Sequence, residues 1–156
     1  MEFIVSSAEL LKGIIDVSKA IPAKTALPIL ENFLFKLTGD KLEITASDQE
    51  LTLRTVMDTI SVSDEGAIAV PARQMMDLLK TLPDQPITLK TSGEGTFECI
   101  WNNGNSTLPY FPAADYPDIK IDGSSTTKMG TILTHKCGSP ERGHKNKVYR
   151  LVKLTG

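Results

Sequence analysis

Apolar and polar positions change period several times along this chain, and each change marks an element. Glu2 to Ser6 reads as a short strand. From Ser7 the period lengthens: Leu10, Leu11, Ile14, Ile15 and Val17 or Ser18 fall near helical spacing and predict a helix to about Ala20. Ser6 or Ser7 can cap it, and Glu9 lies in its first turn, where an anion suits the helix N-terminus. Gly13 weakens the helix slightly and so predicts close packing at that point. Ile21-Pro22 ends it. Extended runs follow. Ile29 to Leu37 alternates imperfectly, with Phe33 and Phe35 on one side and Leu34 on the other. Gly39-Asp40 signals a turn. Leu42, Ile44 and Ala46 then alternate with Glu43, Thr45 and Ser47, as a half-buried strand requires. After a second turn at Asp48-Gln49, Leu51, Leu53, Thr55 and Met57 continue the pattern.

The second half repeats this plan. Gly66 to Val70 is a short strand, and Pro71 sits at a helix start, where its missing N–H costs little. Met75, Met76, Leu78, Leu79 and Leu82 give the apolar stripe of a second helix, over about 72–82, which Pro83 stops. Ile87 to Lys90 is a strand, Ser92-Gly93-Glu94-Gly95 a turn, and Thr96 to Trp101 a strand. Asn102-Asn103-Gly104-Asn105 is a hairpin signal before the last strand, Ser106 to Tyr110. The order strand, helix, three strands thus occurs twice, with little residue identity. Each helix must bury its apolar face. The predicted fold is α+β, two helices packed side by side on antiparallel sheet formed by the two halves. Their polar faces, with Lys12, Asp16, Lys19, Arg73, Asp77 and Lys80, then look outward on the same side.

Charge divides the chain. Residues 1–122 carry 10 Lys+Arg and 18 Asp+Glu, while residues 123–156 carry 7 and 1. An acidic body argues against a domain that binds nucleic acid over its whole surface, while leaving room for a local basic face. From about Gly123 the apolar residues are scattered. The expectation is a single domain over 1–122 and a basic tail over 123–156, mobile or loosely docked. The cluster Val148 to Leu154 is the exception and can add a strand to an exposed sheet edge. No apolar run is long enough to span a bilayer, and the start lacks a signal-peptide pattern, so the expected place is a reducing cytoplasm.

Four separated segments also carry a family resemblance. They are Thr25-Ala26-Leu27-Pro28-Ile29-Leu30-Glu31-Asn32, then Leu42 to Leu51, then Ala69-Val70-Pro71-Ala72-Arg73-Gln74-Met75-Met76-Asp77-Leu78-Leu79-Lys80, and finally Thr107-Leu108-Pro109 with Phe111-Pro112-Ala113-Ala114-Asp115-Tyr116-Pro117. In this order and spacing they resemble the N-terminal domain of the bacterial DNA polymerase III beta subunit, the replication sliding clamp, over residues 1 to about 121. The resemblance implies a DNA-clamp domain and a processivity factor that holds duplex DNA by topology, without an active site or cofactor. It implies a ring of two chains with three such domains each, opened by a clamp-loading ATPase and tethering DNA polymerase III. Two domains are therefore expected to be missing here. At the last hairpin Asn102-Asn103-Gly104-Asn105 stands where the family's pattern is basic.

The same resemblance assigns backbone contact to Lys24, in the loop after the first helix, and to Arg73, in the Val-Pro-Ala-Arg start of the second. Both would touch phosphate and read no sequence. Lys12, Lys19 and Lys80 are weaker candidates for the same face, interrupted by Asp16 and Asp77. The plainer alternative is that Lys24 and Arg73 are both solvated surface cations. Other chemistry is thin. His135, Cys137 and His144 are spaced irregularly for zinc and lack a fourth ligand, so no metal is expected. Cys99 alternates with Phe97 and Trp101 and reads as a buried thiol. Asp48 and Glu50 read as turn residues before they read as a catalytic pair. No nucleophile–base pair stands out, and no enzyme activity is expected. The alternative class is a standalone protein-interaction module whose basic tail is a nucleic-acid-binding arm.

Overall fold

The structure, a computed structural model, describes residues 1–48, 50–93, 95–117, 126–128 and 147–152. Strand β1 (Glu2–Ser6) runs directly into helix α1 (Ser7–Ser18). The side chain of Ser6 caps α1 by accepting from the Glu9 N–H at 3.5 Å. Strands β2 (Asn32–Thr38), β3 (Lys41–Ser47), β4 (Leu51–Asp58), β5 (Ser61–Asp64) and β6 (Gly66–Pro71) lead to helix α2 (Ala72–Thr81). Then come β7 (Pro86–Ser92), β8 (Thr96–Trp101), β9 (Gly104–Pro109), β10 (Phe111–Pro112), β11 (Thr126–Lys128) and β12 (Lys147–Val152). Short 3-10 turns occupy Pro28–Glu31 and Ala113–Asp115.

All of these strand pairings are antiparallel. They divide into two sheets, ordered β5-β1-β7-β8-β9 and β10-β6-β2-β3-β4-β12-β11. The two pattern-related halves exchange their first strands: β1 joins β7–β9 of the second half, and β6 joins β2–β4 of the first. Neither half can therefore keep its core without the other. The turns are the ones the residues demand. Thr38 pairs with Lys41 around Gly39-Asp40, with Gly39 at φ +59°. Trp101 pairs with Gly104, which leaves Asn102-Asn103 as a two-residue hairpin loop.

One core is filled from both sheets and both helices. Phe33 and Phe35 face it from β2, Leu42, Ile44 and Ala46 from β3, and Phe97 and Cys99 from β8. Phe35 meets Phe97 edge-to-face, with ring centroids 6.4 Å apart, where the sheets face each other. Helix α1 packs on β3 and β4, α2 on β2 and β6, and the helices touch side by side. The Ser7 hydroxyl fastens them: it donates to the Pro83 carbonyl at 2.8 Å and accepts from the Gln85 N–H at 3.0 Å. In α1 the buried positions are Ser7 and then Leu10, Gly13, Ile14 and Val17, an i, i+3, i+4, i+7 stripe. Ile15, expected in that stripe, is 43% exposed because it lies a turn of about 100° away from Ile14. A smaller cluster of Leu30, Ala69 and Tyr116 packs on the other side of β6, away from the main core.

Candidate nucleic-acid interface

With their apolar stripes on the sheets, α1 and α2 present their opposite faces to solvent. Lys12 is exposed on α1 and Lys19 at its C-cap, as are Arg73, Asp77 and Lys80 on α2. The two helices repeat one charge pattern. Lys12, Asp16 and Lys19 stand at i, i+4 and i+7, and so do Arg73, Asp77 and Lys80. That spacing puts each cation–anion–cation row along one side of its helix. The chain leaving α1 adds Lys24, exposed, in a bend where the Thr25 hydroxyl accepts from the Leu27 N–H at 3.0 Å. The structure thus brings Lys12 and Lys19, and Arg73 and Lys80, onto the outward faces of two neighbouring helices. It sets Lys24 in the segment that follows α1.

None of the five cations takes part in the ion pairs found among the described residues. Those join Lys41 to Asp58, Arg54 to Glu43 at 3.4 Å, Lys90 to Glu98 at 3.6 Å, and the Met1 amine to Asp64 at 2.7 Å. The acidic members of the rows soften the field. Asp16 is half-buried, and burial raises its carboxyl pKa from the ordinary value while Lys12 and Lys19 pull it back. Such a face suits a polyanion held loosely. Its charges stand on long, exposed side chains, and each is worth little alone.

Arg73 is placed by a local rule. Pro71 caps α2 with φ −55° and ψ 118°, and Ala72, buried, anchors the first turn. Residue 73 then has to point away from the sheet. Gln74, also exposed, adds an amide donor beside it. Charge patterning alone had no means of marking that residue, since it is neutral. Ile15 is the other surprise, an apolar side chain on the exposed side of α1.

The remaining candidates resolve simply. Cys99 is buried and its thiol is pushed up to about 11 by desolvation, as an inert core cysteine would be. The Asp48 carboxylate accepts from the N–H groups of Glu50, at 3.0 Å, and Leu51, at 2.6 Å, closing the turn into β4. His135, Cys137 and His144 lie outside the described residues. Among the described residues no group of three or more His, Cys, Asp or Glu side chains is placed to hold a metal ion. No helix among them is long and apolar enough to cross a membrane.

Comparison with known proteins bears on the family and the fold. The family described as "DNA polymerase III beta subunit, N-terminal domain" matches residues 1–120. The beta sliding clamp of Vibrio cholerae is 31% identical over 121 residues, covering 77% of this chain and 33% of that protein. The beta sliding clamp of Vibrio harveyi is 30% identical over 120 residues, covering 77% of this chain and 83% of that sequence. For Pseudomonas putida the values are 32% over 130 residues, 81% and 35%. Among solved structures, a sliding clamp (DNA polymerase III subunit beta) of Pseudomonas aeruginosa superposes with a TM-score of 0.76 at 28% identity. It covers 87% of this chain and 37% of that one. A clamp of Helicobacter pylori, at 23% identity and a TM-score of 0.74, shares the fold. The chain therefore spans about a third of most of these relatives.

Proposed function

The chain belongs to the DNA polymerase III beta subunit family, through that family's N-terminal domain, and on that premise we propose that it serves DNA replication as a clamp domain. Its work is to present the α1/α2 face to duplex DNA. Lys24 and Arg73 contact phosphates, and Lys12, Lys19 and Lys80 supply a weaker surrounding field. The contacts read no sequence, because phosphate oxygens carry none. They are also weak by design: a face of exposed, long side chains releases the duplex as readily as it holds it, which sliding demands. The role is non-catalytic, without metal or cofactor, and its place is the bacterial cytoplasm. Closure of a ring and tethering of DNA polymerase III, with a clamp loader to open that ring, belong to an assembly of several such domains.

The observation that carries this reading is the doubled row of charges on two adjacent helices, in a fold matched to solved clamps. A salt titration of duplex binding tests it. Each phosphate neutralised contributes about 0.9 to the slope of log K against log salt. The Lys24→Ala/Arg73→Ala variant should bind all sequences more weakly and lose about 2 from that slope. An unchanged slope would remove both residues from the interface. One observation favours a second reading, the excess of 7 cations over 1 anion in residues 123–156. If that segment is a nucleic-acid-binding arm on a protein-interaction module, glutamine at Lys145, Lys147, Arg150 and Lys153 lowers the slope and the Lys24/Arg73 variant does not.

A further inference from the structure

A sheet edge offers a row of free backbone donors and acceptors, so proteins blunt their edges or cover them. Three of the edges here are blunted by their own sequence. Strand β5 is four residues, Ser-Val-Ser-Asp, and largely exposed. Strand β10 is two residues and includes Pro112. Strand β9 carries Asn105, Ser106 and Thr107 and ends at Pro109, which cannot donate. Strand β4 is different. It is eight residues long, lacks proline and glycine, and alternates Leu51, Leu53, Thr55 and Met57 toward the core. On its far side it is covered by β12 in unbroken antiparallel register, from Lys147 opposite Val56 to Val152 opposite Leu51. Strand β11, three residues ending in Lys128, pairs with β12 and becomes the outermost strand.

We propose that Lys147–Val152 is a detachable cap, held in cis, that keeps the β4 edge from pairing with the same segment of a second copy of this chain. Three observations support it. The register covers the part of β4 that carries most of its apolar residues, Leu51 to Val56. The segment Lys-Val-Tyr-Arg-Leu-Val is rich in strand-forming residues. The segment carries Lys147 and Arg150 while residues 1–122 hold 18 Asp+Glu against 10 Lys+Arg, so long-range attraction favours docking. A tethered strand meets its own edge at an effective concentration on the order of millimolar. A second copy at micromolar concentration therefore loses the competition while the cap is down. The cap is independent of what the helical face binds.

Amide hydrogen exchange on the full chain tests this. Adjacent residues of a strand direct their N–H groups to opposite sides, so Tyr149→Pro/Arg150→Pro removes one donor toward β4 and one toward β11. In that variant, exchange across residues 51–56 should quicken on the order of tenfold. Exchange in β7 and β8 should not change. A synthetic peptide of residues 146–153 should bind the variant and restore protection of β4, and should not bind the wild type at the same micromolar concentration. Equal exchange of β4 in both chains, or equal peptide binding, would overturn the cap. So would loss of protection throughout β7 and β8, because a detachable cap leaves the domain standing. A cysteine pair at the register partners Arg54 and Tyr149, with Cys137→Ser, distinguishes cis from exchange. The proposal requires a disulfide within one chain. A disulfide between two chains contradicts it.

Discussion

Replacing Gly13 by alanine measures how tightly α1 lies on the sheet that carries it. A Cβ built at Gly13 would sit 2.3 Å from Met57 Cε, 3.3 Å from Thr55 Cγ2 and 4.0 Å from Ile44 Cδ1. The first distance is far inside van der Waals contact, and the Met57 side chain, 2% exposed, has to move within a filled core. Overpacking of this kind costs about 1–3 kcal/mol. Against it, alanine in a helix interior gains about 1 kcal/mol over glycine. The expected balance is a net loss of about 1 kcal/mol. The decisive comparison is made in a Met57→Ala background. There the obstructing atom is gone, the second contact needs only a few tenths of an ångström, and the propensity gain remains. Gly13→Ala should then stabilise by about 1 kcal/mol, which makes the coupling between the sites about 2 kcal/mol. Urea unfolding followed by circular dichroism, with constant m, gives the four stabilities of the cycle. Additive effects within about 0.5 kcal/mol would refute the packing argument.

Two titrating groups give pH predictions with definite signs. Burial lifts the Cys99 thiol from 9.0 to about 11, so the folded chain holds that proton more tightly than the unfolded one. Its contribution to stability is level below pH 9.0 and is lost as the pH climbs toward about 11. Cys99 should accordingly resist alkylation at pH 8 until the chain unfolds, as peptide mass mapping would show; rapid native-state labelling would contradict its burial. The raised pKa of Asp16 means that its charged form is the disfavoured one in the folded state. Asp16→Asn should therefore be the more stable chain at pH 7, with the gap closing in acid near and below the ordinary carboxylate value of 3.8. A gap that is the same at pH 3 and pH 7 would show that charge is not its source.

Much of the fold was legible because its signals are local. Glu2 to Ser6 reads as a strand, Asn102-Asn103-Gly104-Asn105 as a hairpin signal and Gly13 as a point of close approach; the structure has all three, with the hairpin loop shortened to Asn102-Asn103 because Gly104 and Asn105 already pair in β9. What escaped has non-local causes. Ser61–Asp64 is a strand only because β1 offers it an edge; nothing apolar in it alternates. The extended run expected over Ile29 to Leu37 opens instead with a 3-10 turn, Pro28–Glu31, with Leu30 buried in a cluster with Tyr116 from the far end of the domain. The exchange of β1 and β6 between halves is a property of the whole chain, since either strand reads alike in either sheet. Ile15 was assigned by hydrophobicity to a stripe that its angular position denies it. For the interface, residue type flagged Lys12, Lys19 and Lys80, while Lys24 and Arg73 stood out through the segments around them. That these residues share one side follows already from packing both apolar stripes on one sheet, and the structure does place α1 and α2 side by side.

The proposed function puts duplex DNA against α1 and α2. Lysine acetylation of the full chain with and without a duplex of arbitrary sequence, read residue by residue by mass spectrometry, tests it most directly. Lys36 and Lys41, both exposed, serve as internal references. Lys36 lies on the opposite face of β2 from the core-facing Phe33 and Phe35, and Lys41 stands at the start of β3 beside Asp58. DNA should protect Lys24 most, with Lys12, Lys19 and Lys80 protected less, and should leave Lys36 and Lys41 unchanged. Protection at Lys36 and Lys41, or protection confined to lysines beyond residue 122, would contradict it.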